Sequence, residues 1–254
     1  MRIDQLTVEI DDRLHRAGRE ERRQACETHL PTEMEVIGVT VPDLRGIVKD
    51  VGKRLRHEPT DTVLEVAWAL IDQETLEGRQ VAYELVHNHR ATRESLRTRV
   101  VERLGRGMDN WGSVDAFGVL IAGPTWREGR VTEAAVDRWT AHEDRWWRRA
   151  AVVSTVALNM RSRGGSGDTP RTLRVCSALA ADTDDMVAKG LSWALRALIL
   201  PDRAAVEAFV EKHESVLPKR VLREVRHKLE TGLKSGAPRR RSQPGSRAAG
   251  LVSA

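Results

Sequence analysis

Pro42-Asp43-Leu44-Arg45-Gly46-Ile47-Val48-Lys49-Asp50-Val51-Gly52-Lys53-Arg54-Leu55-Arg56 places apolar residues at 44, 47, 48, 51 and 55. That spacing is one face of an α-helix, with charged residues around the rest. Pro42 fits the first helical turn, where a missing N–H costs nothing. The preceding Gly38-Val39-Thr40-Val41 is short and extended. Alternation of the kind a half-buried strand shows is absent here and convincing nowhere else.

The same periodicity continues in both directions. Residues 4–17 (Leu6, Val8, Ile10, Leu14) predict a first helix and residues 19–30 a second. Beyond the central stretch, helices are expected over 61–71, 75–89 and 92–105, then at Trp111. A turn-rich break is expected at Gly123-Pro124. Helices follow over 132–141, 144–160, 170–181, 185–199, 202–215 and 218–233. Asp202 is a candidate N-cap and Gly232 a stop. Gly164-Gly165-Ser166-Gly167-Asp168 reads as the flexible interior loop. About a dozen helices with short connections predict an all-α fold. Pairing at roughly 40 residues fits a right-handed-type helical solenoid of HEAT-like repeats, with one compact bundle as the alternative. The solenoid would span 1–233, and its concave cleft would suit a rod-like partner. From 234 to 254 the Gly, Pro, Ser and Arg content carries no periodicity and predicts a basic disordered tail.

The chain has 254 residues, 40% hydrophobic and 31% charged, enough for a sizeable core. No apolar run approaches the roughly 20 residues of a bilayer span, and the charged N-terminus lacks a signal-peptide core. A cytoplasmic protein, nucleoid-associated when bound to DNA, is expected. Cys26 and Cys176 are too few for a disulfide framework or a cysteine-rich metal site. His87 and His89 diverge on a helix, so metal binding is not expected. Net charge is +5. Lys234, Arg239, Arg240, Arg241 and Arg247 account for all of it, which leaves residues 1–233 neutral. The tail reads equally as a nonspecific DNA-binding arm or as a solvated end. Within the neutral body the cations cluster, notably over 45–56, 90–106 and 219–228. The excess of arginine over lysine fits phosphate binding or a genomic base bias.

Chemistry concentrates at Asn110-Trp111-Gly112-Ser113-Val114-Asp115. On a helix Trp111 and Asp115 stand one turn apart. A ring face and a carboxylate both attract positive charge, so the pair suits a cationic ligand. Trp146-Trp147-Arg148-Arg149-Ala150-Ala151 and Leu191-Ser192-Trp193-Ala194-Leu195-Arg196 offer an arginine and a further indole. Each residue also has a structural reading. A lone tryptophan is usually core, a lone aspartate a cap, and a lone arginine a bridge between helices. Trp68 and Trp139 are assigned to the core, the two cysteines to buried thiols, and Trp126, Trp146 and Trp147 stay open.

These three stretches occur in order with Gly38-Val39-Thr40-Val41-Pro42-Asp43-Leu44-Arg45 before them and Leu222-Arg223-Glu224-Val225 after them. Together they resemble the AlkD-type DNA alkylation-repair glycosylases over about residues 5–233. The resemblance implies HEAT-like repeats holding duplex DNA in a concave cleft. It implies a monofunctional glycosylase, without metal or cofactor, that excises positively charged N3- and N7-alkylpurines. It carries catalytic roles to Trp111, Asp115, Arg149 and Trp193. Arg148, Arg149, Lys189, Arg45 and Lys49 are the expected DNA-binding cations. Two positions depart from the pattern: Ile37 where an aromatic often stands, and Ala197 where a glutamate often follows.

A cationic purine leaves as a neutral base, so no strong general acid is required. A carboxylate beside the sugar stabilises developing oxocarbenium charge and guides water. That role falls to Asp115. Trp111 and Trp193 would pack on the deoxyribose and exclude water, and Arg149 would hold a phosphate. Duplex DNA is the expected partner, acted on by a monomer with no membrane and no obligate protein partner. Two other readings stand beside this one: a noncatalytic DNA-structure binder of the same fold, and a scaffold that holds a polypeptide in the concave face.

Overall fold

The computed structural model describes residues 2–233, in which sixteen α-helices follow one another with no β-strand. The expected tail, 234–254, lies outside the described residues. α1 (Ile3–Ala17) buries Leu6, Ile10 and Leu14, as the spacing predicts, while Val8 is exposed. α2 (Glu20–His29) buries nothing of its own. It is held by Leu30, which is buried, and by the Arg19 amide donating to the Gly38 carbonyl at 3.1 Å. Gly38 has φ +85°, so only a residue without Cβ fits there easily. The Ile37, Gly38 and Val39 amides all donate to the buried Glu77 carboxylate, which fixes the connection into α3. The Ile37 side chain itself is buried in the core.

α3 (Val41–Leu55) begins at Thr40, whose hydroxyl accepts from the Asp43 amide, with Pro42 in the first turn. Leu44, Ile47, Val48, Val51 and Leu55 are all buried. Each contributes about 1.5–3 kcal/mol relative to exposure, an upper estimate. α4 (Thr60–Asp72) and α5 (Leu76–Asn88) follow as expected.

The helix expected over 92–105 is two: α6 (Arg90–Ser95) and α7 (Thr98–Leu104). No glycine or proline marks the break. Arg97 ends α6 by donating Nη1 to the carbonyls of Glu94, Ser95 and Leu96, while Leu96 turns into the core. Conversely, the break expected at Gly123-Pro124 does not occur. α8 (Trp111–Ala116), a π-helical turn (Phe117–Ala122) and α9 (Gly123–Arg127) run on as one helix. Pro124 supplies no backbone N–H, and within the wide turn Leu120 O also lies 3.0 Å from His87 Nδ1. The wide turn and that side-chain bond carry the helix across a residue that normally ends one.

α10 (Glu133–Thr140) and α11 (Arg145–Ser154) come next. The long helix expected to residue 160 is interrupted at Thr155, where the Ser154 and Thr155 hydroxyls donate back to the Ala150 and Val152 carbonyls. α12 (Val156–Asn159) is the remainder. The glycine loop is pinned rather than free. Gly165 and Gly167 amides donate to Met160 and Leu158 carbonyls, and Arg127 donates to the Ala157 and Arg163 carbonyls. α13 (Thr169–Ala178), α14 (Asp185–Leu198), α15 (Arg203–Lys212) and α16 (Lys219–Thr231) complete the array. Asp202 caps α15 and Gly232 ends α16 at φ +72°.

Packing runs from neighbour to neighbour, as in a helical-repeat solenoid. One row passes through α3, α5, α8 with its π turn, α11, α14 and α16, each touching the next. Behind it lie α1, α4, α6 and α7, then α10, α13 and α15. Two glycines bring α11 close to its partners. A Cβ on Gly118 would lie 2.8 Å from Val153 Cγ1, and one on Gly190 would lie 2.9 Å from Val152 Cγ1.

Candidate active site

Asn110, fully buried, caps α8 by accepting from the Ser113 amide at 2.8 Å. Its own amide donates to Asp109 and Thr32, tying the start of α8 to the loop after α2. Four residues into α8, Asp115 faces Arg149 of α11. Arg149 Nε donates to Oδ1 at 2.9 Å and Nη2 to Oδ2 at 3.0 Å, a fork-to-fork pair. Nη1 donates to the Met186 carbonyl of α14. Three adjacent helices are thereby tied at one guanidinium.

The two partners differ in exposure: the Arg149 side chain is 5% exposed, that of Asp115 21%. Burial pushes the Asp115 carboxyl up to about 6, against the opposing pull of Arg149. The open side of Asp115 borders a cleft of about 470 Å³. Trp193 of α14 and Arg45 of α3 line it, with Gln80, Glu84 and His87 along α5 and Arg163 from the turn that precedes the glycine loop. Three larger cavities, about 760, 720 and 510 Å³, lie elsewhere. Chemistry rather than size singles out the Asp115 cleft.

Asp115, Arg149 and Trp193 thus come together from helices far apart in sequence. Trp111 does not share that cleft. Trp111 is 39% exposed, and its Nε1 donates to the His29 carbonyl at 3.2 Å. It borders an adjoining apolar cavity of about 510 Å³ with Leu30, Val39, Leu44 and Cys26, and Gln80 is common to both. Although Trp111 stands one turn before Asp115, its indole turns to this contact, because α2 offers a terminal carbonyl.

The expected cations separate into two kinds. Arg149 is committed to Asp115 and Met186, so it positions the carboxylate instead of reaching outward for a phosphate. Arg148 pairs with Asp182 at 2.7 Å and donates to the His142 and Glu143 carbonyls, a structural bridge in place of the expected DNA contact. Lys189 pairs with Asp185 at 2.8 Å, one turn away. Arg45 and Lys49 are exposed on α3, Arg45 in the Asp115 cleft and Lys49 in the next cavity with Lys53, Arg56 and Arg90.

The remaining tryptophans divide as well. Trp139 is buried as expected and donates to Glu102, and Trp126 and Trp146 are also buried. Trp68, assigned to the core, is only half-buried, with the Arg103 guanidinium stacked 3.6 Å from its ring centre. Cys176 is buried but Cys26 only half so. Among the described residues, no three His, Cys, Asp or Glu side chains gather to hold a metal.

The α5 wall corresponds to none of the sequence motifs. Gln80, Glu84 and His87 fall at i, i+4 and i+7, one polar stripe on a helix otherwise largely buried. That pattern is legible in the sequence as a polar stripe.

A family profile described as "DNA alkylation repair enzyme" matches residues 10–229. No curated protein matches the sequence. Among solved structures, one titled "Predicted DNA alkylation repair enzyme from Enterococcus faecalis" superposes with a TM-score of 0.65 at 16% identity. The match covers 82% of this chain and 94% of that one. At that identity the likeness establishes a shared fold.

Proposed function

The chain belongs to the DNA alkylation repair enzyme family, and from that premise we propose that it hydrolyses the N-glycosidic bond of positively charged N3- and N7-alkylpurines in duplex DNA. The observation that carries this reading is the Asp115 carboxylate, clamped by Arg149 and open on one side to a cleft walled by Trp193 and Arg45. The residues at work lie within 1–233, as a monomer.

A cationic purine departs with the bonding electron pair and becomes neutral. The barrier that remains is the positive charge gathering on the sugar. A carboxylate fixed in a partly dry site stabilises that charge more than a mobile, hydrated one. Arg149 holds the carboxylate in place without covering its open side. The Trp193 face packs against deoxyribose and excludes bulk water. Arg45 supplies a phosphate contact, which fixes register without sequence preference. Trp111, one turn before Asp115, lies against the backbone beside the lesion.

The test is incubation with methylated duplex DNA and analysis of the free bases. Release of N3-methyladenine and N7-methylguanine supports the proposal. Salt-sensitive duplex binding without any release would instead make the chain a noncatalytic DNA binder of the same fold.

A further inference from the structure

Resting on the glycosylase reading above, we propose that His87 is the base that receives the proton of the attacking water, with Asp115 left to stabilise the sugar cation. His87 lines the Asp115 cleft. Its Nδ1 lies 3.0 Å from the Leu120 carbonyl, and a carbonyl only accepts, so Nδ1 carries the hydrogen. In neutral imidazole the lone pair then sits on Nε2, which has no hydrogen-bond partner among the described residues. The fold thereby sets the tautomer, because Leu120 O, on the π-helical turn after α8, holds the Nδ1 hydrogen. Burial holds His87 below its ordinary pKa, so the ring is neutral near pH 7.

Asp115 is held for the sugar instead: both of its oxygens accept from Arg149, and its open side faces the cleft. The step balances with His87 as acceptor. Water oxygen bonds to C1′, the C1′–N bond breaks, and its electron pair neutralises the purine. The proton passes to Nε2, giving an imidazolium. The charged groups around it are Arg45 of α3, Glu84 of α5, Arg93 of α6, Asp115 of α8 and Arg163 of the turn before the glycine loop.

The test compares the natural chain with His87→Asn in single-turnover excision from a duplex carrying N7-methylguanine, across pH. The asparagine amide preserves donation to Leu120 and removes the base. Excision about 10- to 100-fold slower is expected, with duplex affinity unchanged. The acid limb of the natural chain should report two protons, on Asp115 and His87, and that of the variant one. An unchanged rate with a two-proton limb overturns the role of His87 and leaves the glycosylase reading intact. No release by the natural chain sinks both. If His87→Asn is destabilised, the limb of His87→Gln decides: one proton supports the role and two refute it.

Discussion

At the scale of single residues, the pairing of Asp115 with Arg149 sets the chemistry. Asp115→Asn keeps an oxygen for Arg149 but loses the charge that faces the sugar. Excision should fall by about 10²–10³-fold while duplex affinity changes little, checked by single-turnover release and by binding titration. Equal turnover would remove Asp115 from the mechanism. The activity should also carry an acid limb. A carboxyl pushed up to about 6 is ionised above that pH, so excision should be level above it and fall as pH drops through it. Removing Arg149 takes away the influence that lowers that value, so the limb of Arg149→Ala should move to higher pH. The same variant strands a partly buried carboxylate. Urea unfolding should show a loss of about 3–5 kcal/mol.

At the scale of elements, the site depends on how closely α14 approaches α11. Gly190 is where they meet. An added Cβ would lie 2.9 Å from Val152 Cγ1 and 3.5 Å from Arg149 Cγ. Gly190→Ala should therefore cost about 1–3 kcal/mol in urea unfolding. It should also slow excision, since the shift passes directly to the guanidinium that holds Asp115. A variant as stable and as active as the natural chain would show that the helices separate freely. The same scale explains where local signals misled. Gly123-Pro124 reads as a break, yet the π turn and His87 carry the helix through it. Leu96-Arg97 reads as helix, yet Arg97 closes α6 on its own carbonyls.

At the scale of the whole molecule, neighbouring helices pack in a row and leave α3, α5, α8 and α14 along one cleft. If that cleft follows a duplex, affinity must fall with salt. Arg45→Ala should then reduce the logarithmic salt slope by about 0.9, the share of one phosphate contact. Arg148→Ala should leave the slope unchanged, because its guanidinium is spent on Asp182 and two carbonyls. Binding titrations between low and moderate salt separate the two.

The sequence by itself determined the helices of the row, since the apolar face of a segment such as 44–55 is set by residues three and four apart. It also determined which aspartate, arginine and indole to watch, through the order of three short stretches. The tertiary structure decided what each of them does. Arg149 became a clamp and not a phosphate hand because its partners, Asp115 and Met186, lie 34 and 37 residues away on other helices. Trp111 turned to the end of α2, and His87 acquired its tautomer from a carbonyl 33 residues distant. Helical periodicity is written in near neighbours, whereas the partner of a polar side chain is fixed only when distant helices meet.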